Sequence, residues 1–298
     1  MKMRLSIASA LAVLALPASG AAIAQSASVP LAIVEELQLS ASVERGGTSI
    51  PLAPSMELRD RDQIRTGARS RVLLTTADGS MVKLGEQASF FLDRVRMRDD
   101  GVFEATMKVA QGAFRFTTGA LEKFIGKREV SIAINTVTAG IRGTDLWGKS
   151  TPESQIVCLI QGSIEVAPPG EGPFSMTQPL SFYALEGDLS RPVATVLPDR
   201  LREWAAETEM QPGRGVSKRG GSWKITVASA GKHNDALQIY DELRKVGYPA
   251  EIVPSKVGDK RVYSVRLSNF QTKQDAEFAA DDLKRWSSFA RHDMKIGT

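Results

Sequence analysis

The C-terminal part of the chain repeats itself. "WKITVASAGKHNDALQIYDEL" and "YSVRLSNFQTKQDAEFAADDL" align with Trp223 on Tyr263, 40 residues apart. Ile225 then falls on Val265, Val227 on Leu267, Asp235-Ala236 on Asp275-Ala276, and Leu243 on Leu283. A unit this short cannot bury an apolar face by itself, so the two copies have to share one core. Each copy reads as a strand followed by a helix. The first helix has Asn234 as its expected N-cap, an Ala236/Tyr240/Leu243/Val246 stripe, and Gly247 as its stop. The second has Thr272 as N-cap and an Ala276/Ala279/Leu283/Trp286 stripe.

A further strand is expected at "AEIVP" and a closing one near "HDMKI". The order βαββαβ over residues 221–298 is that of a ferredoxin-like α+β fold, in which helices cover one sheet face and leave the other open. Strand alternation sends Ile225, Val227, Tyr263, Val265 and Leu267 inward. Lys224, Thr226, Ser264 and Arg266 then share the open face. Such a cationic, hydroxyl-rich face is either a binding surface or a plainly solvated one.

Upstream, from Leu37 to Leu185, helical spacing gives way to short alternating strands. "RVLLTT", "SMVKL", "SFFLD", "VFEATMKV", "AFRF", "EVSIAIN", "QIVCLI" and "SIEV" are separated by Gly, Asp, Pro or Ser turns. "DGSMVKL", "QGAFRF" and "QGSIEV" each set a glycine before a strand. This predicts an all-β domain over 37–185, solenoid or sandwich-like, with glycines at its corners. "GALEKFIGK" reads as one helical turn or a loop. Residues 186–220 form the expected linker. It holds a short helix in "DRLREWAAETEM", with Asp199 as N-cap, and then a flexible basic run, "QPGRGVSKRGG". The chain is thus a two-domain one.

"VTAGIRGTDLWG" looks at first like a phosphate loop. It lacks the Lys-Ser/Thr and following helix of a P-loop, and the third glycine of a dinucleotide fingerprint. The expectation is structural: Gly140 and Gly143 allow a tight bend beside Thr144, and Arg142 is placed to hydrogen-bond across it.

The chain of 298 residues opens with Lys2 and Arg4, an Ala/Leu run to Leu16, Pro17 and Ala22-Ile23-Ala24. That is the pattern of a cleavable signal peptide over 1–24, with no transmembrane helix expected in the mature chain. Cys158 is the sole cysteine and sits in an apolar strand, so a buried, inert thiol is expected. One Cys and two distant His (His233, His292) give no metal-ligand spacing. No paired carboxylates or nucleophile–base pattern is legible, so neither catalysis nor a cofactor is expected. The net charge of +4 fits polyanions of the envelope as well as an ordinary surface. Nucleic acid is not expected as a partner, since the sheet face lacks stacking aromatics.

"DQIRTGARSRVLLTTADGSMVKL", "VAQGAFRF", "VSIAINTVTAGIRGTDLWG" and "VCLIQGSIEV" together resemble the FecR domain over about residues 60–168. The resemblance implies an all-β periplasmic module that binds an envelope protein or ligand and has no catalytic activity. Some FecR proteins are transmembrane regulators that restrain a sigma factor; this chain has no internal apolar segment like theirs. The C-terminal repeat, with "LRKVGYP" and "YSVRLSNF", resembles the SPOR domain over about residues 220–286. That implies binding to peptidoglycan, preferentially to glycan strands stripped of stem peptides, and often septal positioning in cell division. Carried over by position, the glycan-binding candidates are Thr226, Ser229, Arg266 and Phe270, with Lys224 and Ser264 beside them. Phe270 would stack on a sugar or plug the strand–helix junction. The whole reads as a non-catalytic periplasmic adaptor, or as an envelope sensor.

Overall fold

The computed structural model describes residues 30, 32–119 and 127–298. The expected signal peptide lies outside the described residues, as does most of "GALEKFIGK". The N-terminal part contains fifteen described strands: β1 (Ala32–Gln38), β2 (Ala41–Arg45), β3 (Thr48–Pro51), β4 (Glu57–Leu58), β5 (Gln63–Thr66), β6 (Arg71–Thr76), β7 (Met81–Leu84), β8 (Ser89–Met97), β9 (Phe103–Thr117), β10 (Arg128–Ile134), β11 (Val137–Ser150), β12 (Ser154–Ala167), β13 (Phe174–Met176), β14 (Ser181–Glu186) and β15 (Leu189–Thr195). Helix α1 (Pro198–Thr208) and strand β16 (Val216–Lys218) follow. The last unit is β17 (Trp223–Ala230), α2 (His233–Lys245), β18 (Glu251–Val257), β19 (Lys260–Phe270), α3 (Lys273–Leu283) and β20 (Lys295–Gly297).

The first fifteen strands make two packed layers that share three long strands. One layer runs β4-β1-β6-β7-β9-β11-β12-β14-β15. The other runs β3-β2-β5-β8-β9-β10-β11-β12-β13, with β9 and β10 parallel. Each of β9, β11 and β12 pairs in one layer along half its length and in the other along the rest. Their alternating residues, such as Phe114, Phe116, Leu146, Val157 and Leu159, enter one core cluster between the layers.

A strand can change layers only where its backbone bends. Gly112 (φ 90°), Gly143 (φ 61°) and Gly162 (φ 93°) mark those places, in a left-handed region that favours glycine. "VTAGIRGTDLWG" is therefore a corner inside the continuous strand β11, where the ladder to β12 slips between Arg142 and Asp145. The tight bend expected of two glycines is made by Gly143 alone; Gly140 has ordinary extended pairing. Arg142 does not bond across the corner. It is exposed, and its side chain has no hydrogen bond or ion pair among the described residues. Thr144 takes that role: its hydroxyl donates to the Ser163 carbonyl at 2.8 Å, and its N–H donates to the Thr118 hydroxyl at 2.9 Å.

Helix α1 covers the outer side of the first layer. Pro198 stands in its first turn and Leu197 is the N-cap, so Asp199 lies inside the helix rather than capping it. Trp204 stacks on the buried Trp147 ring, with centroids 4.8 Å apart and planes 2° from parallel. Cys158 lies beside Trp147 in the same cluster. The far end of α1 is held by ions: Lys149 to Glu207 at 2.7 Å, and both Lys83 and Arg115 to Glu209 at 2.6 and 2.9 Å.

The run expected to be flexible is ordered. β16 pairs with β1 on one edge (Leu37 with Ser217) and meets the end of β19 on the other (Ser217 with Phe270). The fully buried Asp275 carboxylate, at the start of α3, accepts from the N–H groups of Gly215 (3.1 Å) and Val216 (2.9 Å). Its second oxygen accepts from the Thr272 hydroxyl at 2.6 Å, while the Asp275 N–H donates to that hydroxyl at 3.1 Å. Leu39, at the end of β1, sits in the C-terminal core. Arg69 pairs with Asp282 across the same junction.

In the last unit the strand order is β20-β17-β19-β18, all antiparallel. Ile225, Val227, Val265 and Leu267 pack with Ala236, Leu243, Ala276, Ala279 and Leu283 of the two helices. Thr272 caps α3 as its position suggests, but α2 begins at His233 after Lys232, leaving Asn234 within the first turn. Trp286 lies beyond the end of α3 and is 47% exposed, so Ala280 completes the buried stripe. No described helix is long and apolar enough to cross a membrane.

A methyl group at Gly162 would stand 2.2 Å from the Gly143 carbonyl oxygen, on a backbone that disfavours any side chain. Gly162→Ala is expected to cost about 3 kcal/mol in chemical denaturation, by this clash and strain. Gly140→Ala, whose nearest contacts are at 3.8 Å, should stay within about 0.5 kcal/mol. Asp275→Ala strands two buried N–H groups, and about 2 kcal/mol is the expected loss. Limited proteolysis of that variant should cut first between residues 209 and 222; unchanged digestion would count against the seam.

Candidate functional site

The open face of the C-terminal sheet is built by cross-strand register. Residues directly opposite on antiparallel strands share a face. Thr226 stands opposite Arg266, and Ser229 opposite Ser264. Thr226 and Ser229 are three apart and would face opposite ways in a regular strand. The ladder slips between Thr226 and Ala228, and this bulge returns Ser229 to the side of Thr226. The two serine hydroxyls lie 3.1 Å apart. Lys224 shares the face by alternation with Thr226. Five of the six candidates thus come together.

Phe270 does not join them. Asn269 adopts φ 70°, and the ladder slips between Trp223 and Ile225 opposite it. The turn of the backbone carries Phe270 out of the alternation that Ser264, Arg266 and Ser268 obey. Its ring is 5% exposed and belongs to the core. It plugs the strand–helix junction.

Three residues were missed. Lys295 of β20 stands opposite Thr226, and Glu251 of β18 opposite Arg266. Ser268 donates its hydroxyl to Glu251. The two-residue period of β19 points to Ser268; Glu251 and Lys295 need the register, which a short strand does not reveal. With Lys224, Arg266 and Lys295 against Glu251, the face carries a cationic excess.

Arg266 is its central group. The Nε atom is buried and has no hydrogen-bond acceptor among the described residues. A buried donor without a partner costs free energy. The fork of a guanidinium suits a carboxylate or a pair of polar oxygens.

Elsewhere the polar groups serve the fold. Asp145 is gripped by Arg115 through two bonds of 2.9 and 2.7 Å. Asp78 accepts from the Thr76 and Ser80 hydroxyls at 2.6 and 2.7 Å, which fixes the Asp78-Gly79 turn. Burial, with a smaller push from the Asp145 charge, raises the Cys158 thiol to about 12, so the nucleophilic thiolate is absent at neutral pH. Among the described residues no three His, Cys, Asp or Glu side chains gather as a metal cage.

Two family models match the chain: FecR protein over residues 62–165 and SPOR domain over residues 220–290. The chain carries a FecR domain followed by a SPOR domain. No curated protein matches it. Two crystal structures of a candidate anti-sigma factor from Parabacteroides distasonis ATCC 8503 are similar at 14% and 16% identity. The matches cover 75% and 74% of this chain and 90% of each of theirs, with TM-scores of 0.39. At that score the likeness carries no argument about this protein.

Phe270→Ala should behave as a core deletion, lowering stability by about 3 kcal/mol in denaturant titration. A stable variant that had lost ligand binding would instead make Phe270 a contact residue.

Proposed function

We propose that this protein is an exported, non-catalytic adaptor of the periplasm. Its SPOR domain binds peptidoglycan glycan strands, and its FecR domain holds an envelope protein. The observation that carries this is an uncovered sheet face on which the register gathers Lys224, Thr226, Ser229, Arg266 and Lys295. The strand order β20-β17-β19-β18, with both helices on one side, supports the ferredoxin-like assignment and explains why that face is free. Ser229 and Thr226 suit sugar hydroxyls and acetamido groups, with the buried Ser264 hydroxyl behind Ser229, and Arg266 suits the lactyl carboxylate of a denuded strand. The SPOR match supports an envelope and septal location.

The FecR match also favours a second reading, an envelope signalling protein whose SPOR domain only sets its position. Cross-linking that captured a receptor or regulator, rather than a wall-synthesis protein, would select it.

The test is co-sedimentation of the mature protein with sacculi, before and after amidase removal of stem peptides. Pelleting should rise after stripping, and Arg266→Ala should weaken it about tenfold, equivalent to about 1.4 kcal/mol. Absence of pelleting with both kinds of sacculi would overturn glycan binding. Release of soluble muropeptides would replace the adaptor with an enzyme.

A further inference from the structure

The seam between the two domains opens at one side into a cleft of about 580 Å³. Its charged lining consists of Arg65 and Arg69 from the FecR domain, and Arg244, Lys245, Arg285 and Asp282 from the SPOR domain. That is five cations to one carboxylate, an excess of four.

Arg244 donates to the Tyr240 hydroxyl at 3.1 Å and Arg69 lies over the Phe278 ring, but neither contact neutralises charge. Arg244 and Lys245 close the last turn of α2, where they complement a helix macrodipole. Each helix C-terminus supplies only about half a negative charge, so α2 and α3 together offset about one of the four. Asp282 is already shared: Arg69 pairs with it, Arg285 lies 3.8 Å away, and the Tyr248 hydroxyl donates to it at 2.9 Å. Arg65 has Glu44 at 2.8 Å, but that pair is exposed and weak. Burial, and then the charge of Arg285, holds the Arg69 guanidinium below its ordinary range. Trp286, 47% exposed, adds an aromatic wall.

The cations occupy two walls, one from each domain. An extended peptide sends successive side chains to opposite sides. Two neighbouring acidic residues would reach both walls at once. We propose that this interdomain cleft binds an acidic peptide segment of a protein partner, in extended form. The proposal rests on the adaptor reading for the existence of a partner, and it gives that partner its chemistry. The cleft lies on the helix side of the SPOR sheet, away from the glycan face.

The experiment is fluorescence anisotropy of labelled hexaglutamate with the mature protein at low salt, with polyphosphate as a second probe. Hexaglutamate should bind, and binding should weaken steeply as ionic strength rises. The double charge reversal Arg244→Glu/Lys245→Glu and, separately, Arg65→Glu should each weaken it at least tenfold. Thermal melts identify any variant that fails to fold; the milder Lys245→Ala then serves as a second test, with a loss of about threefold expected. Hexaglutamate binding that ignores all these changes, or no binding at low salt, would overturn the site. Polyphosphate bound as tightly, with the same sensitivity, would overturn the peptide assignment. Sacculus pelleting should be unaffected by the cleft variants, so failure here and failure of glycan binding are separate results.

Discussion

The carboxylate of Asp275 anchors the segment that joins the two domains. It is fully buried, and it holds two backbone N–H groups of the segment that joins the domains. Those N–H groups have no strand partner of their own at that point. Without an acceptor they would either stay unsatisfied or turn toward water, and the segment would leave the surface. With one, Val216–Lys218 lies flat as a strand and meets β1 and β19 with its two edges. Leu39 can then cross from one domain into the core of the other. A single acidic side chain thus converts a Gly- and Arg-rich run into part of the sheet.

The FecR domain obeys a different constraint. Its three long strands serve two layers, so each must turn without breaking its ladder. Glycine is required where two such turns touch, since a methyl group on Gly162 would collide with the Gly143 carbonyl, while Gly143 needs glycine only for its left-handed backbone. The adjacent Thr144 satisfies the carbonyl that the turn exposes. Once the corners are set, alternation alone fills the space between the layers, and the outer side of one layer is free to receive α1. The Trp147–Trp204 stack is the apolar contact there, and the Lys83, Arg115 and Lys149 pairs hold the helix end.

Much of this is legible in the residues. The 40-residue repeat identifies two strand–helix halves, and period-two alternation correctly separates Ile225 and Val227 from Lys224 and Thr226. The glycines of "DGS", "QGA" and "QGS" do sit at corners, all with positive φ. What escapes is whatever depends on the count of residues opposite. Ser229 reaches the open face through a bulge, and Phe270 leaves it through the left-handed Asn269; neither slip has a signature in composition. The junction escapes for another reason. "QPGRGVSKRGG" has the content of a flexible tether, and only partners far along the chain, at Leu37, Phe270 and Asp275, reveal it as a strand. Lys295 and Glu251 escape because register between short strands is a tertiary property.

The ordered junction has a mechanical consequence. A free chain of the length from Gln211 to Gly221 would have a root-mean-square reach of about 18 Å and would let its two ends wander independently. Here the backbone ladder β1-β16-β19 replaces that distribution with one separation and one orientation. A displacement applied to the SPOR sheet is transmitted to the FecR layers through hydrogen bonds lying across the strands. The two domains are thus joined as the ends of a strut are, at one spacing and one angle, rather than as two beads on a string.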